Sequence, residues 1–424
     1  MAYKEIKRFK YMRKDPKVEF TSRFHSPSAM KTGFYISPIN NGVKLKRITN
    51  ELWANNIPEI TSLINNIQKV SRQLLAFELD LTENRYHEFL DFLLIEEMQA
   101  TNEYEGVKST RQELKEALDS LNDKKARHRF KGLSLLYKKI GSGHSSRITS
   151  PETVRAIYDE LVADEVEDEA TIEADALFRQ DKVMIGDDFA TVHVGEDPEK
   201  IEEQLQIMLD FLNLEDLNFP SLVRVLLSHY MFEYIHPFYD GNGRVGRYLL
   251  ANYLGFELDV FSSLLMSSSA VANRKAYEKA FVITSDQENY AEGTFFILNL
   301  LELLYEAQEK IAYLLNRSQL ETKRAVNFIK EAQLSDFEEK VFWLYYDHAV
   351  YGSSVKSLTR KDIHSHFEEG AWSEHKQRKA ENLLEGQGFI ERVGERPAKF
   401  RLSPAFQNRL REKNTDSESQ EVDF

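Results

Sequence analysis

The chain has 424 residues, with 55 Lys+Arg against 69 Asp+Glu for a formal net charge of −14, and no cysteine. The length exceeds a typical single core, so two or three domains are expected. The acid excess excludes a surface built throughout for nucleic acid, and the missing cysteines exclude disulfides, thiolate metal sites and cysteine nucleophiles and fit a reducing, cytoplasmic setting.

The opening MAYKEIKRFKYMRKDPK is basic, but no apolar run follows it, so it does not read as a signal peptide. Apolar residues recur at helical spacing through most of the chain, which gives a mainly α class. Residues 1–90 read as a lead-in region, whose first forty residues are rich in turn formers and take no assignment. From YHEFLDFLLIEEMQATNEYEGVKSTRQELKEAL helix follows helix, and residues 91–310 form the central domain. Within it, DEVEDEA near residue 164 reads as a solvated acidic face. FRQDKVMIGDDFATVHVG, residues 178–195, breaks the helical pattern. Val183 and Ile185 alternate with polar neighbours, Gly186-Asp187-Asp188 marks a turn, and Val192 and Val194 alternate again, so a hairpin is predicted. Such a hairpin is either a packing flap or an edge on which an extended peptide docks.

SLVRVLLSHYMFEYI, residues 221–235, is a helix predicted to end near His236, because Pro237 biases its predecessor away from helical backbone. The run that follows, HPFYDGNGRVGRYLL, carries the chemistry. No Lys-Ser or Lys-Thr follows its glycines, so it is not a P-loop. His236, at a helix exit, has the side chain of a general base near neutral pH, and Phe238 tethers the loop to the core. Gly241-Asn242-Gly243 permits successive N–H groups to face one concavity just where a helix begins, which is an anion site. Arg244 and Arg247 project from one side of the first turn and bracket a polyphosphate better than a single phosphate. Asp240 would repel that polyphosphate without an intervening cation, so a Mg2+-bound nucleotide is the expected ligand.

Downstream, GTFFILNLLELLYEA is interrupted by Asn299 and Glu302 and is shorter than a membrane span, so it reads as a buried helix and no membrane partner is expected. Residues 311–334 read as a charged connecting helix. In residues 335–412, three helices (SDFEEKVFWLYYDHAV, LTRKDIHSHF, SEHKQRKAENLLEGQG) precede two short strands in FIERVGERPAKFRLS, a pattern that resembles a winged helix. Lys376, Arg378, Lys379, Arg392, Arg396, Lys399 and Arg401 give this part the charge distribution of a DNA-reading module, and Glu374, Glu381, Glu385, Glu391 and Glu395 oppose it. Winged helices also dock proteins. Residues 413–424 read as a disordered polar tail.

HPFYDGNGR resembles the signature of the Fic family, His-Pro-Phe-x-Asp/Glu-Gly-Asn-Gly-Arg, and departs from it nowhere. The likeness extends to Arg247, to the preceding FEYI, and by position to the hairpin, which is similar to that family's target-docking flap (Val183, Met184, Ile185). It covers roughly residues 90–310 and implies a Fic-type helical core that transfers AMP from ATP to a Ser, Thr or Tyr hydroxyl of a target protein or of itself. The resemblance assigns His236 to deprotonating the hydroxyl, Asp240 to Mg2+, Gly241, Asn242 and Gly243 to the phosphates, and Arg244 and Arg247 to the outer phosphates. Relatives that phosphorylate their targets carry Lys at the position of Gly243, so glycine here implies AMP transfer. TNEYEG, residues 101–106, is similar to the family's inhibitory motif, Ser/Thr-x-x-x-Glu-Gly/Asn. Carried over, Thr101, Glu105 and Gly106 would end an inhibitory helix over about 93–106, with Glu105 competing for Arg247. Asn273, Tyr277 and Asn289 match the family loosely, as ribose or base contacts or as core residues. Alternatives are an enzyme that also removes AMP, a DNA-binding regulator that uses the domain as an ATP sensor, and a toxin silenced by its own helix. A homodimer is among the assemblies the reading admits.

Overall fold

Strict alternation in AMKTGFYI buries Met30, Thr32, Phe34 and Ile36 while their neighbours face outward, and these residues form a strand, β1 (Ala29–Ile36), rather than the unassigned stretch expected from sequence. β1 pairs antiparallel with β2 (Asn50–Asn55), with a register shift between Lys31 and Tyr35. In the computed structural model the described residues are 3–40, 43–123, 128–162, 172–173, 176–187, 190–215, 219–352, 357–364, 366–367 and 372–412. The acidic run at 164–170, Asp188 of the flap turn and the tail 413–424 lie outside them.

The chain divides into two units, residues 1–76 with 93–310, and residues 77–92 with 311–424. Residues 1–76 of the lead-in region thus belong to the first unit. Trp53 donates from Nε1 to Tyr290 O (2.9 Å), Lys7 N donates to Asn289 Oδ1 (3.0 Å), and Arg23 lies over the Tyr3 ring at 4.2 Å while Tyr3 bonds the buried Glu292. These contacts fasten the first sixty residues to the 286–293 segment. The helices α1 (Pro58–Asp80) and α2 (Glu83–Tyr104) each run from one unit's residues into the other's.

In the first unit the flap hairpin is present as β3 (Met184–Asp187) and β4 (Ala190–Val194), antiparallel, with Met184 opposite Val194. After α3 (Ile201–Leu212) comes α4 (Ser221–Ile235), which is apolar almost all round. Leu222, Val223, Leu226, Leu227, Met231 and Ile235 are each almost fully buried, the pattern of a helix at the centre of a core. α4 packs on α3 and on α5 (Asn242–Glu257), which is followed by α6 (Met266–Ala272) and α7 (Arg274–Ser285). The apolar run at 293–307 and the expected connecting helix are one continuous 39-residue helix, α8 (Thr294–Ala332).

In the second unit α9 (Asp336–Val350) is opened by a capping box between Ser335 and Glu338. It is followed by β5 (Leu358–Thr359), α10 (Arg360–His364), α11 (Glu374–Gly386), β6 (Ile390–Glu395) and β7 (Ala398–Leu402), with the strands in the order β5-β7-β6. Phe342, Phe389 and Phe406 meet edge to face in its core. No helix among the described residues is long and apolar enough to cross a membrane.

Candidate active site

α4 ends at His236, which takes left-handed backbone (φ +53°) with its N–H still bonded to Phe232 O (2.9 Å). A non-glycine residue held there needs its surroundings to impose it. Arg179 does so. Its side chain is almost wholly enclosed, and the guanidinium donates to His236 O (2.8 Å), Ile235 O (3.3 Å), Glu196 O (2.6 Å) and Asp181 O (2.6 Å). One planar fork thus joins the two feet of the flap to the backbone that carries His236. Tyr239 adds a second tie, its hydroxyl accepting from Gln180 N and Asp181 N at 3.1 and 3.2 Å. Val183 O accepts from Gly195 N at the base of the hairpin, and the Met184 side chain is 74% exposed on it.

The turn closes on Gly241 (φ +79°), a conformation glycine adopts without cost, and α5 begins. The structure gives the Asn242 side chain a different task from the expected phosphate contact. Its amide accepts from Phe238 N (2.9 Å) and donates to Phe238 O (2.8 Å), so it braces the loop, and only the backbone of residues 241–243 is left for a ligand. The Phe238 ring stacks on Tyr158 at 3.9 Å, the expected tether. Asp240 is exposed at the rim, with Oδ1 accepting from Gly241 N (2.6 Å). Arg244 and Arg247 are both buried.

Arg247 is the hub of the charged cluster. Nε donates to Thr101 Oγ1 (2.9 Å), and Nη2 donates to Thr101 O (3.2 Å) and Glu105 Oε1 (2.7 Å). Glu105 follows the last turn of α2, where Gly106 (φ +74°) reverses the chain and Val107 N returns to Asn102 O. A Cβ on Gly243 would lie 2.2 Å from Glu105 Oε1, so the carboxylate occupies the space a larger residue would need. The structure thus brings Thr101, Glu105, Gly243 and Arg247 together.

Three neighbours were not legible in the sequence. The Tyr104 ring lies between Arg247 (4.7 Å) and Arg274 (4.3 Å). Glu97, two turns before Glu105 on α2, is fully buried and accepts from Ser267 N (2.9 Å) at the start of α6. Burial pushes its carboxyl up, and the bonds from Ser267 and Ser268 and the Arg247 charge oppose this. Glu233 on α4 has Oε1 enclosed without a hydrogen-bond partner, and burial pushes its carboxyl up to about 8, against the pull of Arg247. Of the loosely matched residues, Tyr277 is buried and bonded to His229 Nε2 (2.5 Å), Asn273 donates to Ser269 O (3.2 Å), and Asn289 is held by Lys7 N and Ile283 O. All three side chains are thus engaged within the protein. Burial, with the Arg247 charge adding, lowers His229 to about 3 and keeps it neutral.

No cluster of three or more His, Cys, Asp or Glu able to hold a metal occurs among the described residues. A single exposed carboxylate beside a backbone anion cradle still suits Mg2+, which takes one or two carboxylates and completes its shell with phosphate oxygens and water. Asp240 is that carboxylate, its Oδ2 free of hydrogen bonds among the described residues.

A buried helix leaving through a strained histidine, a flap clamped to that histidine's backbone, and a glycine-opened helix carrying two buried arginines meet in one site. Residues 148–254 match the model of the Fic/DOC family. The chain is 38% identical over 77 residues to "Protein adenylyltransferase Fic" of Nematostella vectensis, covering 17% of this chain and 16% of that protein. It is 44% identical over 54 residues to "Protein adenylyltransferase fic-1" of Caenorhabditis elegans, covering 12% of this chain and 11% of that one. The matched stretches therefore span under a fifth of these relatives' lengths. Among solved structures, a Fic family protein from Desulfovibrio desulfuricans superposes with a TM-score of 0.50 at 21% identity, over 82% of this chain and 97% of that one, which shows a shared fold.

Proposed function

We propose that the chain transfers AMP from ATP to a hydroxyl side chain of a target protein and that Glu105 restrains it. The observation that carries this reading is the convergence, within twelve residues, of a base at a helix exit, an exposed carboxylate, a backbone cradle and two buried arginines. His236 takes the proton from the attacking hydroxyl as that oxygen bonds to the α-phosphorus. Pyrophosphate leaves as the bond between the α-phosphorus and its bridging oxygen breaks. The residue 241–243 backbone and the start of α5 hold the phosphates, and Arg244 and Arg247 balance charge on the departing oxygens. Asp240 would hold Mg2+, which when bound offsets phosphate charge. Glu105 takes up a donor of Arg247 that the outer phosphate would otherwise use, so the resting enzyme is slow. Glycine stands at 243, where relatives that phosphorylate their targets carry lysine, and this supports AMP transfer over phosphorylation. The flap edge around Met184 is the surface on which a target segment would be presented, and a cytoplasmic setting supplies ATP and suits a chain without cysteine.

The test is His236→Ala, with AMP incorporation followed by mass spectrometry and ATP binding by calorimetry. Transfer should disappear while ATP affinity stays within about threefold, because the base acts on the hydroxyl and not on the nucleotide. Transfer at the wild-type rate would remove His236 from this role.

A further inference from the structure

We propose that α9 to β7 form a winged helix that binds duplex DNA through the exposed face of α11 and the β6–β7 wing. The order of elements is helix, strand, helix, helix, strand, strand, and the first strand lies against the last in the sheet, which leaves β6–β7 projecting as a hairpin beside α11. α11 buries Gln377, Ala380, Glu381 and Leu384 against its own unit, so Lys376, Lys379 and Arg378 stand on its outer side.

The charges of this region are already sorted. Glu381 is buried and takes Arg360 Nε (2.7 Å), Tyr345 OH (3.1 Å) and Gln377 Nε2 (2.7 Å). Glu391 is held by Arg401 Nε (2.7 Å), and Arg392 lies 4.0 Å from Glu385 and 3.7 Å from Glu395. Four of the five acids between residues 372 and 402 are thus committed internally. Lys376, Arg378, Lys379, Arg396 and Lys399 are exposed and have no ion-pair partner among the described residues. In a chain of net charge −14, a face that engages four of its five acids and leaves five cations without an ion pair among the described residues is shaped for a polyanion.

A protein-docking face would present an apolar centre. Here the large apolar side chains exposed on α11 and the wing are Leu383 (37%) and Val393 (45%), one on each element. A helix with a basic outer side and a basic hairpin beside it instead matches the way duplex is held, the helix toward the groove and the wing along the phosphates. This inference is independent of the AMP-transfer reading, since His236→Ala should bind DNA like wild type.

The experiment is fluorescence anisotropy of the full chain with a labelled mixed-sequence duplex, titrated from about 50 to 200 mM salt. Five phosphate contacts give a slope of log affinity on log salt of about −4.5, a loss of some ~500-fold over that range. The Lys376→Glu, Arg378→Glu, Lys379→Glu variant should lose about three units of slope, with circular dichroism showing the fold retained. The milder Lys376→Gln, Lys379→Gln variant should lose about two. Absence of binding at the lowest salt, an unchanged slope in both variants, or equal displacement by polyglutamate would overturn the proposal, the last in favour of an acidic protein partner.

Discussion

Glu105 Oε1 sits 2.7 Å from Arg247 Nη2, with the Thr101 hydroxyl on Nε of the same guanidinium, so one turn of α2 covers two edges of a single arginine. Glu105 keeps about a quarter of its side-chain surface in solvent and Arg247 almost none. Removing the carboxylate frees a buried cation for phosphate. Glu105→Gly should raise AMP incorporation by about ten- to a hundredfold, at ~1.4 kcal/mol per tenfold. Arg247→Ala should not mimic the gain, because it removes the phosphate contact with the lock, and the double variant should behave as Arg247→Ala. Labelled ATP supplied to all four proteins reads this directly. A Glu105→Gly protein no faster than wild type would falsify the restraint.

Gly243 reports on the same contact through sterics. Its missing Cβ leaves space filled by Glu105 Oε1 at 2.2 Å and Arg247 Nη1 at 2.9 Å. Gly243→Ala must push the carboxylate away, costing about 1–3 kcal/mol of stability by overpacking. In the Glu105→Gly background most of that cost should vanish, a coupling of at least ~1 kcal/mol in a double-mutant cycle. Additive urea midpoints across the four proteins would separate Gly243 from Glu105.

Arg179 is expected to position His236 without touching substrate. Arg179→Met removes four donors from the carbonyls of residues 181, 196, 235 and 236. A misplacement of about 1 Å at the reacting group can cost on the order of a hundredfold, so kcat should fall by about that much while ATP affinity holds. Arg179→Lys, whose single ammonium cannot serve all four carbonyls, should restore only part of it. Equal loss of ATP binding and turnover would reduce Arg179 to a folding role.

The difference between what was legible and what was not follows from range. The helix exit, the glycine turn and the two arginines are set by residues within one short run, and Pro237, Gly241 and helical spacing announce them. The flap was visible because its alternation is local. Tyr104 and Glu97 gain their roles from α5, α6 and α7, more than a hundred residues away, and no spacing on α2 marks them. Arg179 binds only backbone carbonyls, which every residue owns, so nothing in the partner sequence betrays it. Asn242 was read with the anion cradle because it stands between Gly241 and Gly243, whereas its short amide reaches four residues back to Phe238 and closes the loop. The alternation of Met30, Thr32, Phe34 and Ile36 in β1 was masked by the turn formers around it, so that stretch took no assignment.

Glu233 gives the site a pH signature. The groups facing it are Arg247, which stabilises its charged form, and Glu105, which opposes it, and burial outweighs both, so its carboxyl titrates near 8 against an ordinary value of 4.5. Below that ordinary value the group is neutral in folded and unfolded chains alike and costs nothing. As pH rises, the unfolded chain ionises first, so the stability held at low pH is lost progressively and the loss is complete once the folded carboxyl ionises near 8. Glu233→Gln has no proton to lose, and the difference in melting temperature between variant and wild type should grow in the variant's favour from about pH 5 to 8 and then level. Subtracting the two curves cancels the other carboxylates. Removing Glu105 takes away a like charge, so in Glu105→Gly the levelling should move to lower pH. A difference curve flat across the range would show that Glu233 is ionised throughout and paired with Arg247 in the resting protein, and one that levels at the same pH with and without Glu105 would show that Glu105 does not act on it.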